Sequence, residues 1–315
     1  MGKIYCVITF VRLEVHFSLE NITHGLVGFA LAGIALGNPE IITTAERATI
    51  VATTAAASQL PDLDIVYLAF GKWAYLEQHR GWSHSIPAQV GSAIVLAAIA
   101  RFVSGLPYSF LLFYALLGVG LHILLDFSNS FGTQALIPWS KWRVAWDLAP
   151  TFDPVMAAIL GLGWLAWVSG RYPSRPAGLL ALLGVGVWLL VRVGLHLWAA
   201  RVVRYHTKEL KSVIPTIKPW TWRYVANLPH GLVVQGEVNL ITRKVVELGR
   251  LKADTEEPWI KLLRNNKEGQ IFLNHSRHPH VELLQETREG SSVIRVTDLA
   301  AQKSAAEIEI TGTPK

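Results

Sequence analysis

Long apolar runs fill the chain up to about residue 198, and polar, turn-rich segments follow them. Four runs are long enough to cross a bilayer, which takes roughly 20 mostly apolar residues. These runs are 86–103, 107–127, 154–170 and 177–200. Two less apolar runs, 22–37 and 47–60, are rich in small residues, which favour close helix contacts in membranes. The pattern predicts a mainly α fold, a polytopic membrane bundle of about six hydrophobic helices. A large soluble all-helical protein is the alternative, but so many successive apolar runs are hard to bury in a soluble core.

The remaining segments predict the domain organisation. We expect residues 1–19 to be an N-terminal extension, either a mis-called start, which we favour, or an extra helix. Residues 20–200 are predicted to be the helical membrane domain. The basic segment 201–220, which includes "RVVRYHTKELK", is predicted as a linker. Residues 221–315 alternate β-branched runs with charged turns, which is typical of strands. They predict a small β-rich soluble domain, with one helix at "PWIKLLRNN".

Composition agrees with a membrane protein. Hydrophobic residues make up 51% of the chain and charged residues 17%, whereas soluble domains carry about 25% charged residues. The net charge of +6 comes from Lys and Arg gathered beside the predicted spans, where anionic headgroups attract them. They form no nucleic-acid motif, so we expect no nucleic-acid partner. The single cysteine, Cys6, excludes an internal disulfide and a cysteine-based metal site.

If six spans alternate across the bilayer, the ionisable residues gather at one membrane face, the site face. Ionisable groups at membrane depth are costly and usually mark a functional site. Two pairs lie four residues apart and so project from one helix face each: His122 with Asp126, and Arg192 with His196. The residues predicted at the site face are His24, Asp62, Asp64, His79, Arg80, His84, His122, Asp126, Asp147, Asp153, Arg192 and His196.

Imidazole and carboxylate ligands together favour zinc, manganese or iron over magnesium or calcium. The set exceeds what one tetrahedral ion requires, so we expect a divalent metal, preferably zinc, bound as two ions. Such a pair clamps the attacking and leaving oxygens of a phosphoester. Arg80 and Arg192 could then hold phosphate oxygens as planar forks.

Several of these residues also have structural explanations. His196 could be an interfacial or hydrogen-bonded histidine, and Arg192 could extend to the headgroups. Asp153 precedes Pro154, an arrangement typical of a helix N-cap. Ser83 and Ser85 are favoured as caps of the third span over nucleophilic catalysis.

Five motifs carry a family resemblance: "ENITHGLVGFALA", "LPDLD", "HRGWSHS", "HILLDFSNSFGTQALIPWS" and "FDP". In this order they resemble the YdjM-like (YbcI-like) membrane-bound metal-dependent hydrolases of bacteria, over roughly residues 20–200. The resemblance implies a multi-pass inner-membrane protein with a hydrolase site. The motif positions that match are His24, Asp62, Asp64, His79, Arg80, His84, Ser85, His122, Asp126 and Asp153.

The chain is more distantly similar to zinc-dependent phospholipases C, which order their ligands as His, Asp, His and then His-x-x-x-Asp. The later His-x-x-x-Glu pair and the N-terminal tryptophan ligand of those enzymes are absent from this sequence, so a three-zinc site is not carried over.

From the residues and the resemblance together, we expect a metal-dependent hydrolase that cleaves a phosphoester of an amphiphilic or lipid-like substrate with a metal-activated water. The metal ligands would be His24, Asp62, Asp64, His84, His122 and Asp126. His79, Arg80 and Asp153 would be catalytic, and Arg80, Ser85 and Arg192 would bind the substrate. The alternative is a non-enzymatic metal-binding membrane protein, a sensor or carrier.

The orientation follows from Lys and Arg near the span ends, which favour the cytoplasm. The site face has more of them (Lys72, Arg80, Lys141, Arg143, Arg201, Arg204, Lys208, Lys211) than the other face (Arg47, Arg101, Arg171, Arg175). We therefore expect the site face and the C-terminal domain to be cytoplasmic.

Overall fold

The structure is a computed structural model that describes residues 11–13, 19–207, 209–252, 258–286, 291–300 and 304–311. These residues belong to two units. The helical unit spans His16–Tyr67 and Gln78–Leu195, and the β unit combines Met1–Val15, Leu68–Glu77 and His196–Lys315.

The helices follow the predicted apolar runs closely. Their bounds are α1 Leu19–Ala35, α2 Thr44–Ala57, α3 Lys72–Gln78, α4 Ile86–Ser104, α5 Tyr108–Ser128, α6 Pro154–Val168, α7 Ser174–His206, α8 Pro258–Arg264 and α9 Lys267–His275. The segments Leu60–Phe70 and Trp82–His84 are 3-10 helical.

Local sequence explains where the helices begin and end. Thr43 and Glu46 form a capping box at the start of α2: each side chain accepts a hydrogen bond from the other residue's backbone N–H. Gly105 ends α4 in the left-handed conformation, with a φ of 74°, which glycine adopts without a steric penalty.

Three helices within the described part of the chain are long and apolar enough to cross a membrane: α4, α5 and α7. The apolar helix α6 has 15 residues, while α1 and α2 have 17 and 14. The prediction of a mainly helical region is therefore confirmed, with three helices that are candidate membrane spans. That α1, α2 and α6 also cross remains a prediction, because they are shorter than the roughly 20 residues a full crossing needs.

Small residues bring α1, α2 and α5 close together, as their composition predicts. A Cβ atom on Gly28 of α1 would lie 2.8 Å from the Cα of Ala55 in α2. A Cβ atom on Gly118 of α5 would lie 2.7 Å from the Cβ of Ala57. These close contacts place the end of α2 beside α5, one turn before the histidine and aspartate of α5.

The β unit contains two antiparallel four-stranded sheets, in the orders β2-β3-β4-β5 and β1-β8-β7-β6. The helices α8 and α9 pack on the second sheet, where Leu263 and Phe272 meet Ile294, Val296 and Ile308. The strands are β1 Val11–Leu13, β2 Glu209–Pro215, β3 Thr221–Leu228, β4 Leu232–Asn239, β5 Lys244–Lys252, β6 Pro279–Glu286, β7 Ser291–Asp298 and β8 Ser304–Thr311.

The β-rich C-terminal region and its helix at "PWIKLLRNN" agree with the prediction, but the segment predicted as a linker differs. Residues 201–220 contain the end of α7 and the strand β2, and β3 follows directly. The buried apolar residues of this segment, including Val213 and Ile214, explain why it forms part of a sheet. Most of the predicted extension 1–19 lies outside the described residues.

Candidate metal centre

Four segments of the helical unit bring nitrogen and oxygen donors together. His24 lies on α1, Asp62 in the 3-10 segment after α2, and His84 immediately before α4. His122 and Asp126 lie on α5, four residues apart and therefore on one face. The sequence predicted that all five would meet, and the structure brings them together.

Asp126 lies at the centre of the cluster. Its Oδ1 atom is 3.6 Å from Nε2 of His24. Its Oδ2 atom is 3.2 Å from Nε2 of His84 and 3.6 Å from Nε2 of His122. The two oxygens of one carboxylate therefore face different histidines.

Asp62 faces two of the same histidines. Its Oδ1 atom is 3.4 Å from Nε2 of His84 and 3.7 Å from Nε2 of His122. The side chain of Asp62 is 16% exposed, whereas those of His84 and His122 are fully buried. Asp62 therefore forms the accessible edge of the cluster.

The cluster fits a metal ion because its buried donor atoms lack hydrogen bonds. Nε2 of His24, His84 and His122 and both oxygens of Asp126 are buried and form no hydrogen bond within the described residues. Buried polar atoms are normally satisfied, because leaving them unpaired costs free energy. Divalent cations bound among these atoms would supply the missing partners. Three groups have donor atoms within 4.8 Å of one another: His24, Asp62 and His122; His84, His122 and Asp126; and Glu20, His24 and Asp126.

A hydrogen bond at the second ring nitrogen of His122 fixes the tautomer of this side chain. Nδ1 of His122 lies 2.7 Å from the carbonyl oxygen of Ser58, and only a protonated Nδ1 can donate to a carbonyl. In the neutral ring, Nε2 then carries the lone pair that a metal requires. The His24 and His122 rings stack with centroids 3.8 Å apart, a distance that disfavours charge on both rings.

Asp64 lies behind His84, so its position differs from that of the other predicted ligands. Its Oδ2 atom accepts hydrogen bonds from Ser83 Oγ at 3.0 Å and from the Arg80 backbone N–H at 3.2 Å. The same oxygen is 3.6 Å from Nδ1 of His84 and 3.2 Å from Nδ1 of His79. None of the donor groups found among the described residues includes Asp64. Its contacts favour orienting the His84 ring over binding the metal.

Electrostatics keep Asp64 ionised. Burial alone would raise the pKa of Asp64, but the hydrogen bond with His79 and the nearby imidazoles lower it below its ordinary value. His79 itself is 22% exposed on its side chain and lies at the rim of the cluster.

Arg80 is held inside the cluster by three acceptors. Its guanidinium contacts the Glu20 carboxylate, donates to Asn129 Oδ1 at 2.6 Å and lies 3.4 Å from Asp126 Oδ1. Burial alone would lower the pKa of Arg80, but the charges of Asp126 and Glu20 raise it. The residue adopts a left-handed φ of 56°, which is uncommon outside glycine.

Glu20 and Asn129 belong to the site although the sequence analysis did not single them out. Glu20 lies four residues before His24 and therefore on the same face of α1, a spacing that could have revealed it. Asn129 follows Asp126 by three residues and links Arg80 to Glu20, with Nδ2 3.2 Å from the Glu20 carboxylate.

Asp153 and Arg192 have partners of their own. Oδ1 of Asp153 accepts hydrogen bonds from the backbone N–H groups of Val155 and Met156, so Asp153 caps α6. Its Oδ2 accepts from Trp188 Nε1 at 3.1 Å and lies 3.9 Å from Nε of Arg192. Arg192 Nε donates to the carbonyl of Leu148 at 2.6 Å. These contacts match the N-cap explanation for Asp153, whereas Arg192 is fully buried and does not extend to the headgroups. The proposed catalytic and substrate-binding roles stay untested.

Ser85 likewise has a structural position. Its hydroxyl donates to the Trp82 carbonyl at 2.8 Å and accepts from Ala88 N–H at 3.4 Å, which caps α4. This agrees with the capping interpretation. His196 lies against Trp222, with ring centroids 5.6 Å apart.

The fold and the cluster together define a helical membrane protein with buried groups that could hold a metal. Comparison with known proteins specifies this class further. The family model for the YdjM inner membrane protein matches residues 19–199, and the chain belongs to this family. It is also similar to the "Uncharacterized protein YfhP" of Bacillus subtilis (strain 168), with 34% identity over 221 residues, which is 69% of this chain and 67% of the relative.

Proposed function

We propose that this protein is an integral-membrane metal-dependent hydrolase. The observation that carries the proposal is the convergence of three buried imidazole Nε2 atoms on the two oxygens of Asp126, all without hydrogen bonds among the described residues. A purely structural polar cluster would pair these atoms with one another.

We propose that the residues hold two ions, with zinc preferred and manganese or iron as alternatives. Asp126 would help to hold both ions, because its two oxygens face different histidines. His24, Asp62, His84 and His122 would complete the set, and Glu20 is a further candidate at the Asp126 side. When bound, such an ion lowers the pKa of a coordinated water to about 7 and so provides a nucleophile at neutral pH.

The surrounding residues position these ligands. Ser58 holds the His122 ring through its carbonyl, and Asp64 with Ser83 holds the His84 ring. Partners of this kind typically change metal affinity by about 10–100-fold. His79 is the group best placed to move a proton at the rim, since it is partly exposed and hydrogen-bonded to Asp64. Arg80 is engaged by Glu20 and Asn129, which favours holding Asp126 in place over directly binding a substrate anion.

We propose that the substrate is an amphiphile carrying a phosphoester. The cluster lies at the end of α5 and the start of α4, which are both able to cross a membrane. Its accessible edge consists of Asp62, Glu20 and His79, whose side chains are 16%, 16% and 22% exposed. From this edge a headgroup could reach the ligands while its chains remain in the bilayer.

The cytoplasmic orientation of the site face is also a proposal, supported by the excess of Lys and Arg there. Cysteines placed one at a time at Lys141 and at Arg171, in a Cys6→Ser background, test it in intact cells. An impermeant thiol reagent should label position 171 and not position 141. Labelling of position 141 alone would reverse the orientation.

The activity is tested with the full chain purified in detergent, loaded with zinc or manganese, and supplied with phospholipids in mixed micelles. We expect release of a water-soluble phosphate ester or phosphate, lost in Asp126→Asn. Bound metal without turnover on any phosphoester lipid would contradict the hydrolase and favour a metal sensor or carrier. Metal uptake into sealed proteoliposomes would then identify a carrier.

A further inference from the structure

The connection between α5 and α6 contains a hairpin with exposed tryptophans. Thr133 and Val144 pair through two backbone hydrogen bonds of 3.0 Å. Near its tip, Trp139 is 76% exposed and Trp142 is 65% exposed. We call residues 131–146 the tryptophan hairpin. Side chains this large and apolar are usually exposed together only where a partner or a membrane covers them.

The hairpin is attached to the framework of the metal cluster. The Gln134 backbone N–H donates to the Arg80 carbonyl, and the Ile86 backbone N–H donates to the Ala135 carbonyl, both at 2.9 Å. The Phe131 ring centre lies 5.4 Å from the Arg80 guanidinium carbon. Whatever binds the hairpin is therefore held next to the residues that surround Asp126.

The hairpin lies at the level of a membrane interface. It begins three residues after α5 ends at Ser128, and it is hydrogen-bonded to Ile86, where α4 begins. The ends of helices that cross a membrane lie at its interfaces. Tryptophan prefers this zone, because its ring is apolar while its indole N–H can still reach water.

Basic residues alternate with the tryptophans. The sequence "WSKWRVAW" places Lys141 and Arg143 between Trp139 and Trp146, and residues 131–146 contain no acidic residue. Arg143 donates to the Gly132 carbonyl at 3.0 Å, which directs it toward the base of the hairpin. Burial and the nearby Arg80 lower the pKa of Arg143 to about 10. The positive charge of Arg143 therefore lies at the base of the hairpin and that of Lys141 near its tip, and together they favour an anion along the hairpin.

We propose that the tryptophan hairpin enters the membrane interface and binds the headgroup of an anionic phospholipid through Lys141 and Arg143, beside the metal cluster. Apolar rings with interleaved cations are complementary to a lipid that has acyl chains and a negative headgroup. As an assignment of substrate class the inference rests on the proposed function, but lipid binding itself needs neither metal nor turnover.

Insertion is tested by spin labelling of the full chain in liposomes of zwitterionic and anionic phospholipid. In a Cys6→Ser background, Trp142→Cys carries the nitroxide, and Thr242→Cys, in the exposed turn between β4 and β5, is the matched control. We expect the label at position 142 to collide with oxygen more than with a water-soluble nickel complex, and the control label to show the reverse. Equal access of the nickel complex to both labels would overturn the proposal.

Headgroup selectivity is tested by mass spectrometry of the intact protein with its bound lipids, using phosphatidylglycerol and phosphatidylcholine as competitors. Wild type should retain phosphatidylglycerol preferentially, and Arg143→Gln should reduce that preference about fivefold, the effect of one basic residue near an anionic surface. Arg250→Gln, which removes an exposed arginine on β5, should leave it unchanged. No preference in wild type, or an equal loss in both variants, contradicts anionic binding. Repeating the measurement after chelation separates this outcome from failure of the metal site.

Discussion

Two buried polar clusters of the helical unit invite comparison, one around Asp126 and the other around Asp153. Each has a buried aspartate on or next to a helix that faces a buried arginine. Around Asp153, a helix N-terminus and the Trp188 indole satisfy both carboxylate oxygens. Around Asp126, three histidine Nε2 atoms face the carboxylate without forming hydrogen bonds.

The difference separates a cluster whose polar groups are satisfied within the fold from one that could hold a metal ion. Satisfied hydrogen bonds contribute to stability, whereas converging unsatisfied donors are tolerated where an ion or a substrate supplies the missing partner. Each cluster pairs a buried aspartate with a buried arginine, but the other partners of the two carboxylates differ. What distinguishes them is whether their partners come from the protein.

The largest expected difference between the two clusters follows from neutralising Asp126 in one and Asp153 in the other. Asp126→Asn removes the charge and one donor oxygen from the point where three imidazoles meet, so metal content and turnover should fall below detection. Asp153→Asn should leave both unchanged, because asparagine caps a helix as well as aspartate does. Elemental analysis of both variants per chain checks this. Equal metal content in the two variants would remove the distinction between the clusters.

Substitution of Asp64, which contacts His84 and His79, should have an intermediate effect on metal binding. Asp64→Asn keeps the shape of the side chain but weakens its hold on His84 and His79, so metal affinity should fall by about 10–100-fold. The number of ions bound at saturation should stay the same. Competition with a chelator of known affinity measures this. A reduced number of ions at saturation would instead make Asp64 a ligand, as the sequence analysis predicted.

Metal binding should release a proton. Burial alone would lower the pKa of His84, but its contacts with Asp126 and Asp62 raise it to about 9 in the metal-free protein. Below this value His84 is protonated and must lose its proton to bind a metal, so affinity should fall about tenfold for each pH unit of acidification. Above the raised pKa this dependence should disappear. Calorimetry in buffers of different ionisation enthalpy counts the released protons, and an affinity independent of pH would contradict the argument.

The smallest expected effect is a loss of stability after substitution in the cluster around Asp153. Asp153→Ala removes the N-cap of α6, which should destabilise the protein by about 1–2 kcal/mol, while metal content remains that of wild type. Thermal unfolding in detergent, measured beside Asp153→Asn, checks the size. Loss of metal in the alanine variant alone would mean that the two clusters are coupled through α6.

The sequence predicted the structure correctly where a residue pattern is compatible with only one local structure. The apolar runs predicted the helices, and the spacing of His122 and Asp126 predicted their common face. The sequence could not distinguish Asp62 from Asp64, because both follow the same proline and only the 3-10 conformation decides which one faces the histidines. It predicted the N-cap role of Asp153 but also a catalytic role, because the bond from Trp188 to Asp153 depends on packing between residues far apart in the sequence.

The β unit shows the same limit. Strands with β-branched residues were predicted from residue 221 onward, but β2 was assigned to a linker because of the basic residues and prolines in and around it. The pairing of β2 with β3 buries Trp222 and Val225, a tertiary gain that no local signal reveals.

The most direct test of the metal centre is the metal content of purified wild type and His122→Asn, with His206→Ala as the control. Asparagine can still donate to the Ser58 carbonyl, so the variant removes the Nε2 ligand while keeping the bond that positions it. His206 is exposed on the last turn of α7. The account predicts about two zinc or manganese ions per chain in wild type and in the control, and none in His122→Asn. Metal-free wild type after supplementation, or equal metal in all three proteins, would contradict it.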